Sequence, residues 1–162
     1  MTDEVDRIVE SWRRERPDLD VTPLAVLSRV SRLARHLDLA RRGAFARHEL
    51  ELWEFDVLSA LRRAGEPYQL SPGTLVTQTL VTSGTMTNRI DRLAARGLVE
   101  RLPAPSDRRG VLVRLTPTGR TRVDSALEDL LRVEHTLLAG LPEADRDTLV
   151  DLLRVLVAPF DG

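Results

Sequence analysis

The sequence predicts a mainly α-helical protein with one small β-hairpin, on three observations. Apolar residues recur at helical spacing through most of the chain. Near the middle, a short helical stretch around 74–79 and a longer one ending at Gly97 are joined by a tight turn. Directly after them, Leu98–Leu102 and Val111–Leu115 are apolar or alternating runs that flank "PAPSDRRG", the pattern of a β-hairpin with a long tip.

Each element follows from its residues. Val5, Ile8, Val9 and Trp12 lie at helical spacing, so residues 3–15 read as a short amphipathic helix that "RPDLD" breaks. Thr22 followed by Pro23 suits an N-cap and first helical position, and Leu27, Val30, Leu33 and Leu37 stripe a long helix to about Arg42. Leu50, Trp53, Val57, Leu58 and Leu61 mark a further helix that stops before Gly65 and Pro67. Ser71-Pro72 opens the short helix, a turn containing Ser83 and Gly84 follows, and Gly97 is placed as the C′ glycine of the next helix. Thr116-Pro117 ends the hairpin and starts a helix carrying Val123, Leu127, Leu130, Leu131, Leu137 and Leu138. Pro142 restarts a last helix with Leu149, Leu152, Leu153 and Leu156.

The pattern is a winged helix-turn-helix flanked by helices at both ends. Residues 1–44 hold the extra first helix (3–15) and a dimerisation helix (22–42). Residues 45–116 form the winged domain, with the wing at 98–115, and 117–162 supply C-terminal dimerisation helices. The outer helices carry more leucine than so small a central domain can cover, which favours a homodimer over a purely intramolecular core.

Composition narrows the function. A chain of 162 residues with 42% hydrophobic content can build a core. Cysteine is absent, which excludes disulfides and thiolate metal sites and fits a cytoplasmic protein. The start, "MTDEVDRIVESW", lacks the basic-then-apolar layout of a signal peptide, and no apolar run approaches the ~20 residues of a membrane span. His36, His48 and His135 are scattered, the first two read as surface groups and the third as helix packing. Ser125 and the other serines have no adjacent base, so neither an enzyme nor a metal sensor is expected, and no cofactor. The net charge of −1 hides a segregation: residues 80–122 hold nine Arg against three acids, and 123–162 hold three Arg against nine acids. One surface therefore suits a polyanion, although solvated helix faces give the same composition.

On the helix ending at Gly97, Met86, Ile90 and Leu93 share the inward face. The opposite face carries Gly84, Asn88, Asp91 and Ala95, flanked by Thr87 and Arg92, a set suited to a DNA major groove. Asn can bind adenine and Arg guanine in a bidentate way, and Thr offers a hydroxyl and a methyl. Ser83 and Thr85 at the helix start favour a phosphate. At the hairpin tip, Arg108 and Arg109 suit the narrow minor groove, and Asp107 is placed to hold the Arg109 guanidinium in one direction. Arg89 lies beside Met86, turned away from Asn88, where it serves as a structural ion pair or an anion-binding group.

"SDRRGVLVRLTPTGR", preceded by "SGTMTNRIDRLAARGLVER", resembles the winged helix-turn-helix of MarR-type transcription regulators, over roughly residues 24–157. The resemblance implies a homodimer whose winged domains straddle a pseudo-palindrome in double-stranded DNA, with repression the usual activity. "SWRRERPDLD", "WEFDVL" and "TNRIDRL" are similar to the urate-responsive, PecS-like branch. That likeness implies that Trp12, Asp56 and Arg89 bind a small organic anion such as urate or a tricarboxylate, which releases the DNA. The alternatives are a constitutive DNA-binding regulator and a winged-helix protein-interaction module.

Overall fold

A computed structural model describes residues 2–104 and 110–160. The chain divides into two compact units, residues 1–43 and 44–162. Helix α1 (Glu4–Glu15) and most of α2 (Thr22–Ala46) form the first. The second continues with α3 (Leu52–Arg63), β1 (Gln69–Leu70), α4 (Pro72–Thr79), α5 (Ser83–Ala95), β2 (Val99–Pro103), β3 (Val111–Leu115), α6 (Pro117–Leu138) and α7 (Glu143–Val157). A 3-10 turn, Ala158–Phe160, follows α7. Among the described residues no helix is long and apolar enough to cross a membrane.

In the first unit α1 is capped at Asp3, whose carboxylate accepts from the Asp6 N–H at 3.0 Å. Val5 and Val9 bury against Val21, with Leu24 and Ala25 beside them. Arg29 of α2 clamps both acids at the start of α1, 2.8 Å from Asp3 and 2.7 Å from Asp6. Trp12 extends the Val5–Val9 stripe yet is 49% exposed, because the small cluster from Val21 to Ala25 covers only the first two turns of α1. Thr22 is not the N-cap of α2. Its own N–H and hydroxyl both donate to Asp20, at 3.0 and 2.7 Å, so the helix is already under way there. The helix also outlasts the expected end at Arg42, since Ala44 and Phe45 are buried and Phe45 stacks on Phe55 at 4.0 Å.

The second unit is built around one core shared by α3, α4, α5, α6 and the sheet. Leu58, Leu61, Leu75, Met86 and Leu93 are fully buried in it, each worth about 1.5–3 kcal/mol relative to exposure. The antiparallel sheet has the order β1-β3-β2, with Val99 opposite Leu115 and Pro103 opposite Val111. Strand β1, only two residues long, pairs Leu70 with Val113 and has too little sequence to show an alternation. Thr116 caps α6 by accepting from the Gly119 N–H at 3.0 Å, with Pro117 at the first helical position. His48 is half-buried rather than a surface group, its Nε2 2.9 Å from Asp129, and His135 is exposed rather than packed. Both follow from positions along α6: Asp129, next to the buried Leu130, reaches His48, and His135 lies on the final turn beyond that last buried residue.

Candidate nucleic-acid interface

Two caps fix the helix-turn-helix. Ser71 accepts from the Thr74 N–H at 3.1 Å to start α4, and Thr82 accepts from the Thr85 N–H at 3.3 Å to start α5. Between them Leu80 closes α4 in the left-handed region, φ +53°, and is 92% exposed. The turn therefore lies at 80–82. Ser83 and Gly84, expected within it, already belong to the first turn of α5, because Thr82 is the capping hydroxyl. At the far end Gly97, φ +69°, is the C′ residue, and its carbonyl accepts from the Thr116 hydroxyl at 2.7 Å.

Met86, Ile90 and Leu93 fill the core beneath α5, which leaves Ser83, Thr85, Thr87, Asn88 and Arg92 exposed. Thr87 donates to the Ser83 carbonyl at 3.1 Å, so its hydroxyl is partly committed to the helix. Asp91 is 2.6 Å from Arg101 on β2, which ties the exposed face of α5 to the hairpin. The ladder continues past β2 with the Ala104 N–H donating to the Gly110 carbonyl at 2.9 Å. Asp107, Arg108 and Arg109 lie outside the described residues.

The geometry of Arg89 differs from the sequence reading. Rather than turning away from Asn88, it is half-buried and shares an open hollow of about 580 Å³ with Glu51, Trp53, Thr85, Asn88 and Arg92. Its guanidinium lies 5.4 Å from the Trp53 ring centroid, and that of Arg92 lies 4.7 Å from the same ring. Positions 85, 88, 89 and 92 follow the i, i+3, i+4, i+7 rule, so one side of the helix carries all four. Asp56, exposed on α3, does not line that hollow, and Trp12 belongs to the first unit.

Glu51, Glu54 and Arg96 escaped the sequence reading, which has Trp53 only as an apolar mark of its helix. Glu54 is 2% exposed and meets Arg96 at 2.5 Å, and its second oxygen accepts from the Glu51 N–H at 2.9 Å. Arg96 also donates to the Glu49 carbonyl at 2.7 Å. Glu51 accepts from the Trp53 indole N–H at 2.6 Å and from Arg92 at 3.1 Å. The Trp53 hydrogen bond first, then Arg92, holds the Glu51 carboxyl below its ordinary range, so it stays ionised. The signal was present as "ELWE" at a helix start facing Arg89, Arg92 and Arg96 at spacings of three and four.

This arrangement, a polar helix beside an antiparallel hairpin, is that of a winged-helix transcription regulator. The sequence model of the MarR family matches residues 48–110. The chain is 38% identical over 150 residues to the HTH-type transcriptional regulator PecS of Dickeya dadantii, covering 93% of this chain and 90% of PecS. A solved structure concerning regulation of DNA binding of Bordetella bronchiseptica BpsR by 6-hydroxynicotinic acid superposes with a TM-score of 0.67. It has 31% identity and covers 81% of this chain and 91% of that one. A Cys-to-Ser mutant of Escherichia coli MarR complexed with operator DNA gives 0.70 at 27% identity, over 86% and 99% of the two chains. The chain belongs to the MarR family. Its matched relatives are transcription regulators and not enzymes, as the sequence reading expected.

Proposed function

We propose that the protein is a homodimeric repressor that binds a pseudo-palindromic operator and is released by a small organic anion. The observation that carries the DNA reading is the exposed stripe of Thr85, Asn88 and Arg92 on a helix whose opposite face is fully buried. Ser83 and Thr85 face phosphates at the helix start, Thr87, Asn88 and Arg92 read base edges, and Asp107, Arg108 and Arg109 serve the wing. The dimer reading is supported by Val26, Leu27, Val30 and Leu33 on α2 and Leu152, Leu153 and Leu156 on α7, large apolar groups left exposed. On that reading residues 45–116 form the reading domain, and 1–44 and 117–162 supply the dimerising helices.

The effector reading rests on the likeness to PecS and BpsR and on the family assignment of Trp12, Asp56 and Arg89. Urate and tricarboxylates are the anions to try first. The competing assignment of Arg89 as a structural group draws support from its stacking on Trp53.

The test uses a duplex that the wild-type chain selects from a random library, titrated with urate, xanthine, aconitate, citrate and salicylate. Wild type is expected to bind the duplex and to lose it with one of these anions, while Arg89→Ala binds and is not released. Equal release of both proteins removes Arg89 from the effector site. No release by any of the five points to a constitutive regulator or to a ligand outside the panel.

A further inference from the structure

We infer that Trp53 and Glu51, at the start of α3, are positioning residues that set the base selectivity of Arg92. This rests on the reading of α5 proposed above.

Arg92 extends from α5 onto the Trp53 ring, 4.7 Å from its centroid, and its Nη2 donates to Glu51 Oε1 at 3.1 Å. Glu51 Oε2 takes the Trp53 indole N–H at 2.6 Å. Each member of the trio thus touches the other two. The trio is anchored from behind, because the Glu51 backbone N–H donates to the buried Glu54, which is paired with Arg96 at the end of α5. The start of α3 and the exposed side of α5 are thereby held in one register.

An arginine at a helix surface is long and samples many rotamers, and a guanidinium that reads guanine must present its fork in one plane. Stacking on an aromatic face fixes that plane, and one bond to a carboxylate fixes rotation within it. An Arg fork has five donors, and the contact with Glu51 is made from Nη2, so the side chain has capacity for a base edge. Glu51 is itself exposed beside the reading face, where a carboxylate repels phosphates. Such an acid weakens non-specific attraction while it orients the group that discriminates.

The test measures binding of wild type, Arg92→Ala, Trp53→Leu, Trp53→Phe and Glu51→Gln by fluorescence anisotropy. The probes are the duplex selected by wild type from a random library, every single-base variant of it, and a scrambled duplex. Thermal unfolding of each protein is recorded beside them. Arg92→Ala is expected to lose discrimination at one base position by about 5- to 100-fold. Trp53→Leu is expected to lose about threefold or more at that same position and at no other. Glu51→Gln loses discrimination there too, yet binds the scrambled duplex more tightly, an effect that a purely structural role does not produce. Should Trp53→Leu fail to fold, Trp53→Phe and Glu51→Gln carry the comparison.

If Arg92→Ala changes selectivity while the Trp53 and Glu51 variants weaken all duplexes uniformly, or lower only thermal stability, the seat is refuted and the reading helix stands. If Arg92→Ala leaves selectivity unchanged, Arg92 reads no base and the seat is refuted while Asn88 and Thr87 keep the reading helix; if wild type selects no sequence, the reading helix fails and the seat with it.

Discussion

Gly119 shows how far one residue can constrain the wing. A Cβ built there collides with the Leu98 carbonyl and with Leu115 Cδ1, so α6 approaches the base of the hairpin only because no side chain intervenes. Gly119→Ala forces backbone apart from backbone and is expected to cost about 1–3 kcal/mol, read as a fall in thermal stability. The sequence displayed this residue within Thr-Pro-Thr-Gly, where it read as part of a helix start, while its tight packing needed the strand beside it. Asp129 offers a second test. The hydrogen bond from His48 first, then Arg47 and Arg132, holds its carboxyl at about 2, below the ordinary 3.8. A folded-state value lower than the unfolded one stabilises above about pH 4 and is lost as pH falls through about 2. The difference in melting temperature between wild type and Asp129→Asn should therefore narrow as pH is lowered from about 4 to about 2. A difference that stays constant through that window contradicts the assignment.

At the scale of elements, the helix-turn-helix depends on its caps. Thr82 satisfies the start of α5 through the Thr85 N–H, so Thr82→Ala is expected to cost about 1 kcal/mol in a denaturant titration. Gly97 and Thr116-Pro117 were legible as ends and starts because their conformational roles are local. The pairing of β2 with β3 was legible for a similar reason, since the two apolar runs lie close together in sequence, whereas the third strand, β1, was not. What resisted reading was pairing between elements. The Glu54–Arg96 bridge joins residues 42 positions apart, and nothing in the local pattern of α3 says that a glutamate there is buried. The face of Arg89 was misjudged for the same reason, because Trp53 comes from another helix. Arg96→Leu strands the buried carboxylate, and removing one partner of such a pair costs up to about 3–5 kcal/mol. The partial exposure of Arg96 places the expected loss at the lower end of that range.

For the whole molecule, the excess of apolar residues in the outer helices was readable from sequence, whereas the surface they cover was not. Val150, Leu152, Leu153, Leu156 and Val157 leave α7 with no fully buried residue. With both Leu153→Glu and Leu156→Glu, sedimentation should show a monomer where a dimer is expected of wild type, with operator affinity falling alongside. An unchanged mass would move the interface elsewhere. The charge segregation belongs to the same scale: residues 80–122 hold nine arginines against three acids in a chain of net charge −1. Yet folding sets Arg92, Arg96, Arg120 and Arg122 against Glu51, Glu54, Asp124 and Glu49 from outside that segment, so the count along the sequence overstates the free positive charge there. A dimer reading two half-sites would set them one DNA turn apart, roughly 34–36 Å. DNA reading by α5 and the wing is tested by the salt dependence of binding to the selected duplex for wild type, Asn88→Ala and Arg109→Ala. Arg109→Ala is expected to weaken binding to every duplex and to lower the salt slope by about one, while Asn88→Ala relaxes preference at a single base. Affinity, slope and preference unchanged in both variants would contradict that reading.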